Sequence, residues 1–133
     1  MKLALKILWQ LPQTLVGLLV YLVITITDKT HSTHRDENVL WVYTKHPIGV
    51  SFGTVIIVCR ACSNITCQHE QGHSKQSLYL GWLYLLIVGF PSITFNILTQ
   101  WNILKRENYY KRFPENWADN IMKIKRLDIK TNI

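Results

Sequence analysis

The chain places two histidines four residues apart, His69 and His73 in HEQGH, and later a glutamate and an aspartate with the same spacing, Glu115 and Asp119 in ENWAD. On an α-helix, residues i and i+4 sit one above the other on a single face. Each pair therefore predicts a helix with a polar stripe. If the two stripes meet, the intervening chain must leave and come back, and this constrains the fold more than any other feature. Residues 76–104 carry no charge and are interrupted by Gly89-Phe90-Pro91-Ser92. We expect an apolar helical hairpin over 81–104 that turns there. Each arm would have about 12 residues, roughly 18 Å at about 1.5 Å per residue. A bilayer core is about 30 Å thick, so the hairpin would be re-entrant or interfacial, or would pack against the N-terminal segment.

That segment, 7–27, is also uncharged and follows Lys2 and Lys6. It is nominally long enough to cross a bilayer. No small-residue cleavage site follows it, so a cleaved signal peptide is not expected. Pro12 predicts a break into a short helix and a longer one within an apolar anchor over 1–27. Residues 28–38 (DKTHSTHRDEN) read as a loop. The β-branched and aromatic runs on either side of Pro47 and Gly49 predict a β-hairpin over 39–59. Ser63-Asn64 predicts the start of the HEQGH helix, 64–80. Pro114 suits the first turn of the ENWAD helix, 114–122, and 123–133 reads as a basic tail with a frayed end. The expected fold class is α+β, in a single domain over 1–133.

Charged residues make up 17% of the chain against 48% hydrophobic, and the net charge is +7. The basic residues lie mostly beside apolar stretches, and no nucleic-acid motif accompanies them. The expected partner is membrane lipid rather than nucleic acid, and the expected location is at a membrane. A cytoplasmic-facing site follows from the basic tail and from three cysteines expected to be reduced. Cys59, Cys62 and Cys67 with His69 form the elements of a Cys3His zinc site, which would take His69 from the HEQGH pair. No glycine-rich phosphate loop and no serine or cysteine nucleophile motif is present.

Two imidazoles one helical turn apart can hold one Zn²⁺ at roughly 2.0–2.1 Å each. Glu70, next to the first histidine, would face the same metal and take a proton from its bound water. A catalytic zinc usually has three protein ligands and one open position. Glu115 can be the third, and Asp119 can accept the free N–H of a ligating histidine and fix its tautomer.

HEQGH followed by ENWAD resembles the gluzincin metallopeptidases, in particular membrane-embedded members akin to the prenyl-protein endopeptidases and small bacterial proteins with an HExGH helix ahead of an apolar hairpin. The likeness runs over about residues 65–122. It implies a minimal zincin-like fold, Zn²⁺ held by His69, His73 and Glu115, Glu70 as general base, an orienting Asp119, and a peptide or protein substrate. It also implies a strand beside the HExxH helix that aligns an extended substrate, a role for which VIIVC at 55–59 is placed. Active members add a His, Tyr or Arg that stabilises the oxyanion; Tyr109, Tyr110, Arg112 and His31 are candidates by residue type. The alternatives are a non-catalytic protein whose metal is structural, and a small membrane interaction protein without metal.

Overall fold

The structure is a computed structural model that describes residues 2–126. It is α+β, with six α-helices and one four-stranded mixed sheet among the described residues. Helix α1 (Leu3–Trp9) meets α2 (Leu11–Thr27) at a 92° bend. The bend falls at Gln10, and Pro12 sits in the first turn of α2, where its missing N–H costs nothing. This is the predicted break.

The sheet differs from the predicted hairpin. Its strands are β1 (Ser32–Asp36), β2 (Val39–Thr44), β3 (Gly49–Phe52) and β4 (Val55–Cys59), in the order β1-β2-β4-β3. The run 50–59 is itself a hairpin, because Gly53 adopts φ +62° and turns the chain between β3 and β4. Thr14 and Gln13 of α2 press on Gly53 so closely that a side chain there would collide. β4 thus inserts between β3 and β2, and it pairs with β2 in parallel. The expected loop at 28–38 contains β1, which pairs antiparallel with β2. All five β1 residues are exposed, so no alternation of polar and apolar residues betrays the strand.

Helices cover both faces of the sheet. Val42, Val55 and Ile57 point to α2 and Ile24. Trp41, Ile56 and Val58 point the other way, toward Cys67 of α3 (Asn64–Leu80). A strand buried on both faces reads as an unbroken apolar run, which is why VIIV shows no alternation. Ile56 is fully buried, and truncating it to Ala would cost about 2–5 kcal/mol.

The apolar stretch after α3 corrects a second expectation. The chain does not reverse at Gly89-Phe90-Pro91-Ser92. It reverses at a 3₁₀ turn, Gly81–Leu83, where Gly81 has φ +54° and the Trp9 ring occupies the space a Cβ would need. A helix then runs unbroken from Leu85 to Gln100, as a π-turn (Leu85–Gly89) followed by α4 (Phe90–Gln100). The widened turn just before Pro91 accommodates a residue that cannot donate a backbone hydrogen bond. Two short helices follow, α5 (Arg106–Tyr109) and α6 (Glu115–Ile121). The predicted basic tail lies outside the described residues from 127 onward. No single described helix is long and apolar enough to cross a membrane; α1 and α2 meet that test only as a bent pair.

Cys59 and Cys62 form a disulfide, and Cys67 is the free thiol. This corrects the expectation of three reduced cysteines and removes two thiolates from any Cys3His site. It also removes one of the two supports for a cytoplasmic-facing site, since disulfides persist mainly in oxidising compartments.

Candidate metal centre

Helix α3 starts where Ser63 accepts a hydrogen bond from the Thr66 amide at 3.3 Å. One face of the helix then carries His69, Glu70 and His73, all buried. Gly72 packs against α6. A Cβ at Gly72 would lie 2.5 Å from the Ala118 carbonyl oxygen and 3.1 Å from its Cα. The two helices therefore touch backbone to backbone, at the glycine of HEQGH and the alanine of ENWAD. His69 and His73 flank the contact on α3; Glu115 and Asp119 flank it on α6.

The Nε2 atoms of His69 and His73 lie 3.1 Å apart, at 2.8 and 3.0 Å from Oε2 of Glu115. These three buried side chains form a group that could hold a metal ion. The hydrogen bonds around the rings say more. His69 Nδ1 lies 2.6 Å from Oδ1 of Asp119, a carboxylate that can only accept. Nδ1 of His69 therefore carries a proton. His73 Nδ1 lies 2.7 Å from Oε1 of Gln76, whose amide nitrogen donates to the Pro114 carbonyl at 3.0 Å. That donation fixes the amide orientation, so Nδ1 of His73 also carries a proton. In their neutral forms both rings then turn bare Nε2 lone pairs toward each other and toward a carboxylate oxygen. Three acceptors converge with no donor between them, and only a cation or an added proton can hold them together.

The electrostatics agree. Burial disfavours a charged His69, but the Asp119 and Glu115 hydrogen bonds outweigh it and push its pKa up to about 9 in the metal-free protein. Burial would raise Glu115; His69 and His73, which can donate to it from Nε2 only when protonated, reverse this and hold it below the usual carboxylate range. Asp119 is likewise held low against burial, by His69 and by Arg126. Glu70 goes the other way, because burial raises it and the two histidines offset that only in part. No described protein group hydrogen-bonds its carboxylate.

Glu70 and His73 open on a cleft of about 180 Å³ shared with Ser51, Ser92, Ile93 and Tyr109. A Cβ at Gly49 would lie 3.2 Å from Oε1 of Glu70, so this glycine leaves room for the carboxylate. The strand beside the cleft is β3, an edge strand, rather than VIIVC of β4, which is hydrogen-bonded on both sides. Of the four oxyanion candidates, Tyr109 alone lines the cleft. Burial, and then the charge of Glu115, keep its phenol protonated. Tyr110 packs edge-on against His69. Arg112 lies over the Phe95 ring, and His31 contacts the Asp28 carbonyl away from the cleft.

Four contributors escaped the sequence reading. Gln76 was detectable, being one turn beyond His73 on the same face. Ser92, whose hydroxyl donates to Oε1 of Glu115, lay in a segment expected to be a turn. Tyr110, an oxyanion candidate by residue type, instead packs on the His69 ring. Arg126, assigned to the tail, grips both Asp119 oxygens at 2.6 and 3.1 Å and stacks 3.4 Å over Tyr110. In comparisons with family models, curated proteins and solved structures, nothing matches this chain.

Proposed function

We propose that the protein is a zinc-dependent metallopeptidase of gluzincin type, with His69, His73 and Glu115 as zinc ligands and Glu70 as general base. The observation that carries this reading is the convergence of three acceptor atoms, two imidazole nitrogens and one carboxylate oxygen, beside a cleft glutamate that no described group hydrogen-bonds. Two imidazoles and a carboxylate suit zinc, and three protein ligands leave a position open. When bound, Zn²⁺ lowers the pKa of water and polarises a carbonyl.

The chain's own residues supply the rest. Asp119 and Gln76 hold the two rings with Nε2 facing inward. Glu70 takes a proton from the attacking water and returns it to the leaving amine, a task suited to a carboxylate whose proton affinity burial raises. Tyr109, protonated and in the cleft, donates a hydrogen bond to the oxygen that becomes negative as the carbonyl is attacked. The edge strand β3 lines the cleft, so that an extended peptide would run beside it, although its Ser51 carbonyl is already taken by the Tyr84 hydroxyl.

The test combines metal analysis of purified protein with cleavage of a quenched-fluorescent peptide library. Wild type should contain one zinc per chain and cleave in a chelator-sensitive manner. Glu70→Gln should keep the zinc and lose cleavage. Cleavage retained by purified Glu70→Gln would sink the assignment. One zinc per chain, unfolding on chelation and no cleavage of any peptide would instead mark a structural centre joining α3 to α6.

A further inference from the structure

Among the described residues, two helical faces are left without protein cover. On α2, the side turned away from the sheet exposes Leu19 and Ile26 at 64% each, beside a shallow apolar groove of about 490 Å³. On the helix from Leu85 to Gln100, Leu86 and Phe90 are 72% and 71% exposed. The two regions are joined at the α1–α2 bend. The Trp9 indole donates to the Leu78 carbonyl at 2.8 Å, and the Trp82 indole donates to the Leu8 carbonyl at 2.9 Å. Exposed apolar surface of this extent marks a site that something else covers.

We propose that α1, α2 and the Leu85–Gln100 helix lie side-on in the headgroup region of an anionic lipid bilayer. The geometry is in-plane rather than spanning. The Leu85–Gln100 helix is roughly 24 Å long at about 1.5 Å per residue, short of a core of about 30 Å, and the N-terminal pair is bent by 92°. Charge selects the occupant. Lys2 and Lys6 flank the first apolar stretch, Lys105 and Arg106 close the second, and neither 7–27 nor 76–104 contains an acidic residue. A second copy, also at +7, would bring basic flanks together; anionic headgroups complement them. Trp9, Trp82 and Trp101 are exposed near the ends of these stretches, where indoles suit the headgroup level. The cleft opens beside this surface, since Ile93 and Ile97 of α4 line it. The docking itself is independent of the metal reading.

Vesicle flotation of the full chain tests it. Wild type should float with vesicles of phosphatidylcholine and phosphatidylglycerol. It should float less with phosphatidylcholine alone or at high salt, and its tryptophan emission should shift to the blue on binding. Leu19→Glu with Leu86→Glu should reduce partitioning by at least roughly tenfold, the equivalent of one buried leucine. Both positions are exposed, so thermal unfolding in detergent should match wild type. Replacing Lys2, Lys6, Lys105 and Arg106 with Gln should remove the preference for anionic vesicles. Wild type left at the bottom of the gradient with both vesicle types overturns the proposal. So does a stable dimer in light scattering that Leu19→Glu splits while vesicles bind neither form.

Discussion

Asp28, just past the end of α2, and Glu115, at the start of α6, are both buried to zero exposure, yet their surroundings are opposite in kind. Asp28 is met by donors alone. The Thr30 amide and hydroxyl reach one oxygen at 2.9 and 2.6 Å; the Thr44 hydroxyl and Lys45 amide reach the other at 2.9 and 2.8 Å. Arg60 stands 3.5 Å away. Glu115 receives the Ser92 hydroxyl on one oxygen, while the other faces two imidazole nitrogens whose protons are committed elsewhere. Burying a charge is tolerated when its lone pairs are satisfied. Asp28 is satisfied within the protein and ties α2 to the sheet. Glu115 is satisfied only when a cation or proton joins the group. The contrast separates a structural carboxylate from a candidate ligand more clearly than burial or residue type does.

The sharpest way to break the contrast is to remove each carboxylate in turn. Glu115→Ala, or His73→Ala, should abolish measurable zinc binding in competition with a chromophoric chelator. Asp28→Ala should leave zinc affinity unchanged in folded protein and lower stability instead. If Asp28→Ala lost zinc and Glu115→Ala kept it, the distinction would be wrong. A smaller loss is expected from Asp119→Asn, which keeps the shape but removes the charge that orients His69. Outer partners of this kind typically contribute about 10–100-fold in metal affinity, readable in the same titration.

Gly72→Ala probes the helix contact that holds the ligand group together. The added methyl meets Ala118 backbone that cannot rotate away, so urea unfolding should show a loss of about 1–3 kcal/mol, with weaker zinc binding alongside. Unaltered stability would mean that α3 and α6 do not pack this closely.

The smallest effect is the part of the pH dependence that Asp28 contributes, isolated by comparing wild type with Asp28→Asn. The Thr30 hydroxyl and then the Lys45 amide hold its pKa well below its ordinary value of 3.8. A depressed carboxylate contributes stability that is present above its unfolded value and lost as pH falls through the folded one. Wild type should therefore lose part of its stability below about pH 3.8. Asp28→Asn should be less stable at neutral pH and less sensitive to acid. Parallel acid-unfolding curves for the two proteins would contradict this.

Much of the candidate site was legible because helical spacing is local. His69, Glu70 and His73 share a face in any helix, as do Glu115 and Asp119, and capping by Ser63 and the break near Pro12 follow from short-range rules. The sheet was harder. β1 has no buried face to leave an alternating pattern, and Gly53 gave little sign of a turn between two β-branched runs. Pro91 misled in the opposite direction: a proline that often ends a helix here follows a π-turn and stays within one. Arg126 could not be assigned a role, because nothing in its neighbours says that the chain after α6 folds back on Asp119.

The order of residues by itself determined two polar helical stripes, two uncharged stretches with basic flanks, and an α+β alternation. All of these depend on contacts within a few residues or on composition. Only the tertiary structure decided that the stripes meet, because that depends on Gly72 and Ala118 letting two backbones touch across a long stretch of intervening chain. It also decided which ring nitrogens carry protons, since Gln76, Pro114 and Asp119 come from different turns and helices. The demand for a cation or a proton arises there, in the mutual placement of groups that are each ordinary on their own.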